Sequence, residues 1–551
     1  MSDIVKGMPS GHGDSYQLNT TSLIRHAART YPEQEIVFRN RDGSWGRYTY
    51  ADCYTRVQRG ANLLRSLGVE AGDVVGILDW NSRRHFESYW SIPGIGAVML
   101  QMNLRLAQED LSYVTDHSGA SVVLVDETLL PVAEALATQS SSVREWVVMT
   151  DKPLTEIKTS LPRVRHFEDL LARAEPVYDW PVIDETSTYS ACYTTGTTGN
   201  PKGVYYSHRG IYLHTMAQAA NLRMCGDDAA MIVTPMFHAQ AWGLPQSAVY
   251  SATKIVLPGQ YRAEDTSTLV DAMITEDVTV VNGAPVIFQP MLDYIKSLDS
   301  RPDFGRARLL SGSTEPALSL MRDFFELTGA DIIHAYGATE TGPTAAVNIG
   351  LKRSLQRKLT PGEKWDMKRS QGLPLNGIDV RIVDAEGRDL PHDGVAQGEI
   401  LLRGPWIAES YRDLDDDTER FLDGYWRSGD VGTISPDGYI KLTDRLKDVI
   451  KSGGEWISSI DMENAIVGHP AVVEAAVIGV PHPKWQERPV ALVVTADRSS
   501  LPIKEVHGLL ADRFAKWQLP ETVLYVDALP RTSVGKIDKK ALRATYSEFR
   551  E

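Results

Sequence analysis

Four short apolar runs, Val74 to Leu78, Val122 to Val125, Trp146 to Met149 and Ile255 to Leu257, recur in the first half of a 551-residue chain with helix-spaced stretches between them. Such runs lack the in-and-out alternation of a sheet with one wet face, so they belong to strands covered on both sides. Parallel strands need long crossover connections, and helices in those connections cover the sheet. The pattern therefore predicts parallel α/β structure. Tyr50 to Leu67 supplies one such helix, with Val57, Ala61 and Leu64 on one face and Gly68 placed to close it. From Glu363 to Thr443 closely spaced Gly, Pro and Asp separate short alternating strands such as Asp379 to Val383 and Gly398 to Leu402. That texture predicts a β-rich subdomain. Beyond Asp444 a helix over Ser459 to Gly468, strands at Ala475 to Val480 and Val490 to Val494, and a further helix make a small α+β unit.

Composition narrows the function. Hydrophobic residues are 42% and charged residues 23%, which excludes wholesale disorder. The 57 Lys and Arg against 72 Asp and Glu leave a net charge of -15, unsuited to a generic polyanion surface, so no nucleic-acid partner is expected. Three cysteines, Cys53, Cys192 and Cys225, lie far apart without C-x-x-C pairing, which excludes a disulfide framework or zinc knuckle and points to a reducing cytoplasm. The opening MSDIVKGMPSGHGDSY lacks the apolar region of a secretory signal. The charge-free run Ala229 to Thr253 contains Pro235, His238, Gln240, Pro245 and Gln246 and reads as buried strand, loop and helix rather than a membrane span.

The sharpest local signal is YTTGTTGNPKG, Tyr193 to Gly203. Glycines let a backbone approach phosphate oxygens closely, and hydroxyls and N–H groups can wrap them. The spacing is not that of a Walker A loop, because Gly196 and Gly199 are three apart and Gly203 follows Lys202. A flexible turn is the plainer alternative, but turn formation alone does not ask for four threonines.

This loop resembles the phosphate loop of the adenylate-forming superfamily: acyl-CoA synthetases, luciferases and peptide-synthetase adenylation domains. Other segments agree in order: YGATETGP (Tyr336 to Pro343) is similar to the adenine and magnesium motif, and WRSGDVG (Trp426 to Gly432) to the ribose motif. DRLKDVIKSGGEWIS (Asp444 to Ser458) resembles the hinge and thiol-tunnel motif, and PRTSVGKIDKKALR (Pro530 to Arg543) the carboxy-terminal lysine motif. The resemblance implies an N-terminal adenylation domain over 1–443, a hinge at 444–449 and a small mobile domain over 450–551. It implies ATP, magnesium and coenzyme A as cofactors and a small carboxylic acid as partner, with no integral membrane segment, and leaves a homodimer open.

Chemically, a carboxylate must meet the α-phosphate of ATP, and the repulsion between two anions must be screened. By resemblance Glu340, with Thr194, holds the metal. Thr194, Thr195, Gly196, Thr197, Thr198, Gly199 and Lys202 bind phosphates, and Tyr336, Gly337, Thr339, Asp430 and Arg445 hold the nucleoside. Lys536 is similar to the catalytic lysine, and Lys447 occupies the hinge position. Gly453, Gly454 and Glu455 would line a pantetheine channel, where bare backbone leaves room. A helix-start glutamate, a turn aspartate and a solvated tail lysine are the plainer readings of Glu340, Asp430 and Lys536 taken singly.

TPMFHAQAWGLP (Thr234 to Pro245) resembles most closely the medium- and long-chain fatty acyl-CoA synthetase branch. There Trp242 looks like the gate between nucleotide and acyl sides, His238 lies beside the reacting carboxylate, and Gly312, Ser313 and Thr314 line the acyl pocket. Core packing is the alternative for Trp242 and His238. SGSTEP (Ser311 to Pro316) departs from the family's smaller residues and makes a functionalised, alicyclic or terpenoid-like acid plausible beside a linear one. The expected activity is acyl-CoA synthesis through an acyl-adenylate; the rivals are an adenylating enzyme that loads a carrier protein or acts as an oxygenase, and a nucleotide-binding regulatory homologue without turnover.

Overall fold

The computed structural model describes residues 5–13, 15–194, 200–414, 417–452, 455–496, 498, 500–511, 513–531 and 537–546. Packing divides the chain into two units, Met1–Asp379 with Arg403–Trp426, and Val380–Leu402 with Arg427–Glu551.

In the first unit the apolar runs become parallel strands. A seven-stranded sheet runs in the order Val164–His166, Glu145–Met149, Ala120–Asp126, Val74–Leu78, Val98–Gln101, Thr188–Tyr193, Gly203–Ser207, parallel except for the last pair. A nine-stranded sheet runs Leu373–Pro374, Thr344–Val347, Asp331–Gly337, Arg308–Ser311, Val280–Gly283, Ala229–Ile232, Lys254–Leu257, Glu35–Arg39, Trp45–Thr49. Its six central strands are parallel and both edges antiparallel. The helix after the first hairpin spans Tyr50–Ser66, begun by a capping box between Thr49 and Asp52, with Gly68 left-handed just past its end. Val57, Ala61 and Leu64 are all buried.

One side chain ties the two sheets together. Asn81 follows Val74–Leu78 and is 3% exposed, so its amide must find partners inside the protein. Its Nδ2 donates to the carbonyl oxygens of Ile232 (2.7 Å) and Thr234 (3.0 Å), and its Oδ1 accepts from Met236 N (2.9 Å). The exit of the nine-stranded sheet's strand Ala229–Ile232 is thereby fixed on the seven-stranded sheet.

The β-rich region is present as a five-stranded sheet of Asp379–Val383, Gly398–Arg403, Phe421–Leu422, Tyr425–Ile434 and Ile440–Arg445. It begins later than its Gly and Pro content suggests. Pro361–Lys368 is a helix whose Thr360 and Glu363 form a capping box, so Pro361 there starts a helix rather than a turn.

In the second unit a long antiparallel pair, Val472–His482 with Gln486–Thr495, forms one side of another five-stranded sheet. Helices Ser459–Val467, Ile503–Leu510 and Lys539–Tyr546 accompany it. The Lys539 side chain is 11% exposed, its Nζ 2.7 Å from Glu463 Oε1 and donating to Ser459 Oγ at 2.5 Å. Ser459 Oγ in turn donates to Asp444 Oδ2 at 2.6 Å. Breaking one side of a buried ion pair costs about 3–5 kcal/mol, whereas replacing both by apolar groups is often near neutral. Lys539→Met should therefore lower the urea midpoint strongly, and Lys539→Met with Glu463→Leu should recover most of the loss; equal destabilisation by both would show that the pair is not what fixes this helix.

Candidate active site

Asp331–Gly337 is a parallel central strand of the nine-stranded sheet, and its carboxyl end leads into the short turn Thr339–Thr341. Ligands of open α/β sheets sit outside such strand ends. Tyr336 is 7% exposed, whereas Gly337 beside it is open, and a Cβ there would overlap the Pro343 carbonyl oxygen. Glu340 is positioned from two sides. Tyr206 Oη donates to Thr339 O (2.7 Å) and Ala408 N to Glu340 O (2.8 Å), which fixes the backbone. Tyr411 Oη donates to Glu340 Oε1 (2.7 Å) and accepts from Trp426 Nε1 (3.2 Å), which fixes the carboxylate. Burial pushes the Tyr411 phenol up, and the Glu340 charge pushes it further, so the phenol remains a donor.

Lys202 brings its ammonium over the Tyr411 ring, 5.3 Å from the centroid. Burial and Arg420 lower its pKa, while Glu340 and Asp417 work the other way. Thr194 and Lys202 close the base of the Gly/Thr loop: Thr194 N donates to Lys202 O (2.9 Å) and Lys202 N to Thr194 Oγ1 (3.4 Å). Thr195, Gly196, Thr197, Thr198 and Gly199 lie outside the described residues. Tyr206 and Tyr411 were not singled out from sequence. No spacing rule links 411 to 340, and only the folded chain brings them together.

Trp242 lies in a turn, Ala239–Gly243, between the strand Ala229–Ile232 and the helix Leu244–Tyr250. Its ring packs over the bare face of Gly312, where an added Cβ would come within 2.6 Å of ring carbon. His238 is half-buried just before the turn; Ser313, at φ 73°, and Thr314 are exposed. Glu315 is paired with Arg369 at 2.5 Å, each side chain little exposed. The bulk that sets SGSTEP apart thus goes into an ion pair, and Glu315 gives no support to an unusual acyl group.

In the second unit Asp430 and Arg445 face each other across neighbouring strands, with Arg445 Nε 2.8 Å from Asp430 Oδ1. Asp430 is buried and its N–H donates to Ser428 Oγ (2.9 Å). Two residues read from separate motifs are one ion pair. Exposed Lys447 sits in the turn that follows, where Asp448 N and Val449 N donate to Arg445 O at 2.8 and 2.7 Å. Gly453, Gly454 and Lys536 lie outside the described residues, as does the Glu455 side chain.

Two family models match the chain: AMP-binding enzyme over residues 24–412, and AMP-binding enzyme C-terminal domain over 461–536. The 3-methylmercaptopropionyl-CoA ligase of Ruegeria lacuscaerulensis is 39% identical over 96% of this chain and 97% of its own. The long-chain-fatty-acid–CoA ligase of Thermus thermophilus is 40% identical over 97% and 96%. Among solved structures, the anthranilate CoA ligase AuaEII in complex with anthranoyl-AMP superposes with a TM-score of 0.80 at 25% identity, covering 96% of this chain and 97% of that one. The chain belongs to the AMP-binding, adenylate-forming enzyme family. Within it, the protein is an acid–thiol ligase of the acyl-CoA synthetase kind.

Tyr411→Phe removes one hydrogen bond to a charged group, worth about 1.5–3 kcal/mol. Adenylation should slow by about tenfold or more while the urea midpoint changes little, since the ring and its packing remain. Unchanged pyrophosphate release would show that the Tyr411 hydroxyl does not hold Glu340 for the reaction.

Proposed function

We infer that the enzyme activates an apolar carboxylic acid, from medium or long straight chains to short acids with a thioether or ring, and passes it to free coenzyme A. The observation that carries this is the set of Glu340, fixed by Tyr411, beside Lys202 at the open end of a parallel strand. The relatives' names, a long-chain fatty acid and a thioether acid among them, support the range of acids.

The carboxylate oxygen attacks the α-phosphorus of ATP, a new O–P bond forms and pyrophosphate leaves. Lys202 with the Gly/Thr loop would bind the leaving phosphates, and Tyr336, Gly337 and Thr339 would border the adenine. The Asp430–Arg445 pair would take the ribose hydroxyls, Asp430 accepting with its second oxygen while Arg445 holds the first in place. Lys536 would stabilise the negative charge that grows on the five-coordinate phosphorus. The coenzyme A thiolate then attacks the acyl carbon and AMP departs; Gly453 and Gly454 would admit the pantetheine arm, after rotation at Lys447 of the domain over 450–551.

Among the described residues no three His, Cys, Asp or Glu side chains converge on one point. That suits magnesium, which takes one or two carboxylates and fills its remaining positions with phosphate and water oxygens. Glu340, with Thr194, fits this role, and the ion would neutralise phosphate charge. Among the described residues no helix is long and apolar enough to cross a membrane. The free, buried Cys53 and Cys192 suit a reducing cytoplasm.

The experiment is AMP release from a panel of acids with and without coenzyme A. Release that rises with free coenzyme A and favours apolar acids is expected; release that needs a carrier protein or oxygen, or no turnover with any acid, would overturn the reading. Lys536→Ala should cripple adenylate formation yet spare thioester formation from supplied acyl-adenylate, because only the first step develops charge near that ammonium. Equal loss of both steps would remove Lys536 from this role.

A further inference from the structure

Ala239, Gln240, Ala241, Trp242 and Gly243 are five consecutive residues with φ between 42° and 73°. That is the unfavourable hand for L residues, and four of the five are not glycine. A left-handed turn of this length persists only where its surroundings hold it. The holding groups are buried side chains from three other elements. Asn282, in the strand Val280–Gly283, donates Nδ2 to Ala241 O at 2.6 Å. Gln218, in the helix His208–Leu222, donates Nε2 to Trp242 O at 2.7 Å and to Thr344 Oγ1 at 3.3 Å. Thr344 itself reaches Trp242 O at 3.4 Å. The orientation of the Gln218 amide is fixed in turn, because Ser247 Oγ donates to its Oε1 at 2.8 Å. Gln218 and Ser247 are fully buried.

The carbonyls of a left-handed turn point where those of a right-handed one do not. Release of the Trp242 carbonyl therefore turns the Trp242 peptide and carries the indole away from Gly312, whose lack of a side chain is what lets the ring lie there. We propose that Gln218 is a positioning residue for acid selection: by holding the Trp242 carbonyl it keeps the turn left-handed and the indole against Gly312, which sets the depth of the acyl pocket. The proposal rests on the reading of Trp242 as the gate between the nucleotide and acyl sides, a wall to the acyl pocket where its ring lies against Gly312. Gln218 never touches the acid and acts only through Trp242.

The test is the ratio of kcat/KM for hexadecanoate, octanoate and butanoate in four forms of the full-length enzyme: unsubstituted, Gln218→Met, Trp242→Ala, and both together. Gln218→Met removes the donor at nearly constant length. It should shift the chain-length ratio by about tenfold, the scale of a pocket change of one or two methylenes, and should add less than about twofold in the Trp242→Ala background. A merely structural role would lower the yield or the melting temperature without moving the ratio. An unshifted ratio in Gln218→Met beside a shifted one in Trp242→Ala would overturn the proposal and leave the wall reading standing. An unshifted ratio in Trp242→Ala would remove the wall reading and the proposal with it, and an equal shift from Gln218→Met in both backgrounds would place its action elsewhere. Should Gln218→Met fail to fold, Ser247→Ala frees the Gln218 amide without introducing a new group; a ratio shifted in the same direction supports the proposal, and an unshifted one overturns it.

Discussion

A carboxamide buried in the middle of a sheet has to satisfy both its oxygen and its nitrogen, and Asn282 does so in a way that shapes the turn carrying Trp242. Fully buried in the strand Val280–Gly283, it accepts from Val233 N and Thr234 N at 2.9 and 3.1 Å and donates to Ala241 O. The first two bonds hold the chain as it leaves the neighbouring strand Ala229–Ile232. The third holds the turn that carries Trp242. Asn81 grips the same exit from the seven-stranded sheet through the carbonyls of Ile232 and Thr234. Between them these two amides decide where the segment after Ile232 can go, and so where His238 and Trp242 lie.

Around Glu340 a related logic applies to a charge. Glu340 stands in a short turn that could not by itself orient a carboxylate, and Tyr206, Ala408 and Tyr411 supply that orientation from elsewhere in the first unit. A carboxylate locked by a phenol beside a lysine is arranged before its ligand arrives, and such preorganisation is what makes an electrostatic site effective. In the second unit Asp430 and Arg445 form an ion pair, each charge keeping the other in place.

Much of this was readable in the sequence because strands covered on both faces leave an apolar run that little else produces. Val74–Leu78 and Asp379–Val383 have the limits their residues suggest, and the helix from Tyr50 starts and stops at its cap signals. The stretch from Glu363 to Lys368 differs from the β-rich texture expected there because it belongs to a helix whose start is marked only by the spacing of Thr360 and Glu363. The motifs singled out Glu340, Lys202, Asp430 and Arg445 as candidates by chemical type. They could not show that Tyr411 holds Glu340, that Asp430 pairs with Arg445, or that Glu315 is turned to Arg369, since these are contacts between residues far apart in the chain. The left-handed hand of Ala239–Trp242 was equally hidden, for nothing in Ala-Gln-Ala-Trp favours it locally.

Adenylate formation requires the carboxylate to attack the α-phosphorus of ATP, and the path of one oxygen atom tests that directly. An acid substrate labelled in both carboxylate oxygens with a heavy isotope is turned over with ATP and coenzyme A, and the products are separated for mass spectrometry. Attack at the α-phosphorus leaves one labelled oxygen in AMP and none in pyrophosphate. Labelled inorganic phosphate formed together with ADP would mean attack at the γ-phosphorus, and would contradict the assignment of these residues to an adenylate-forming site.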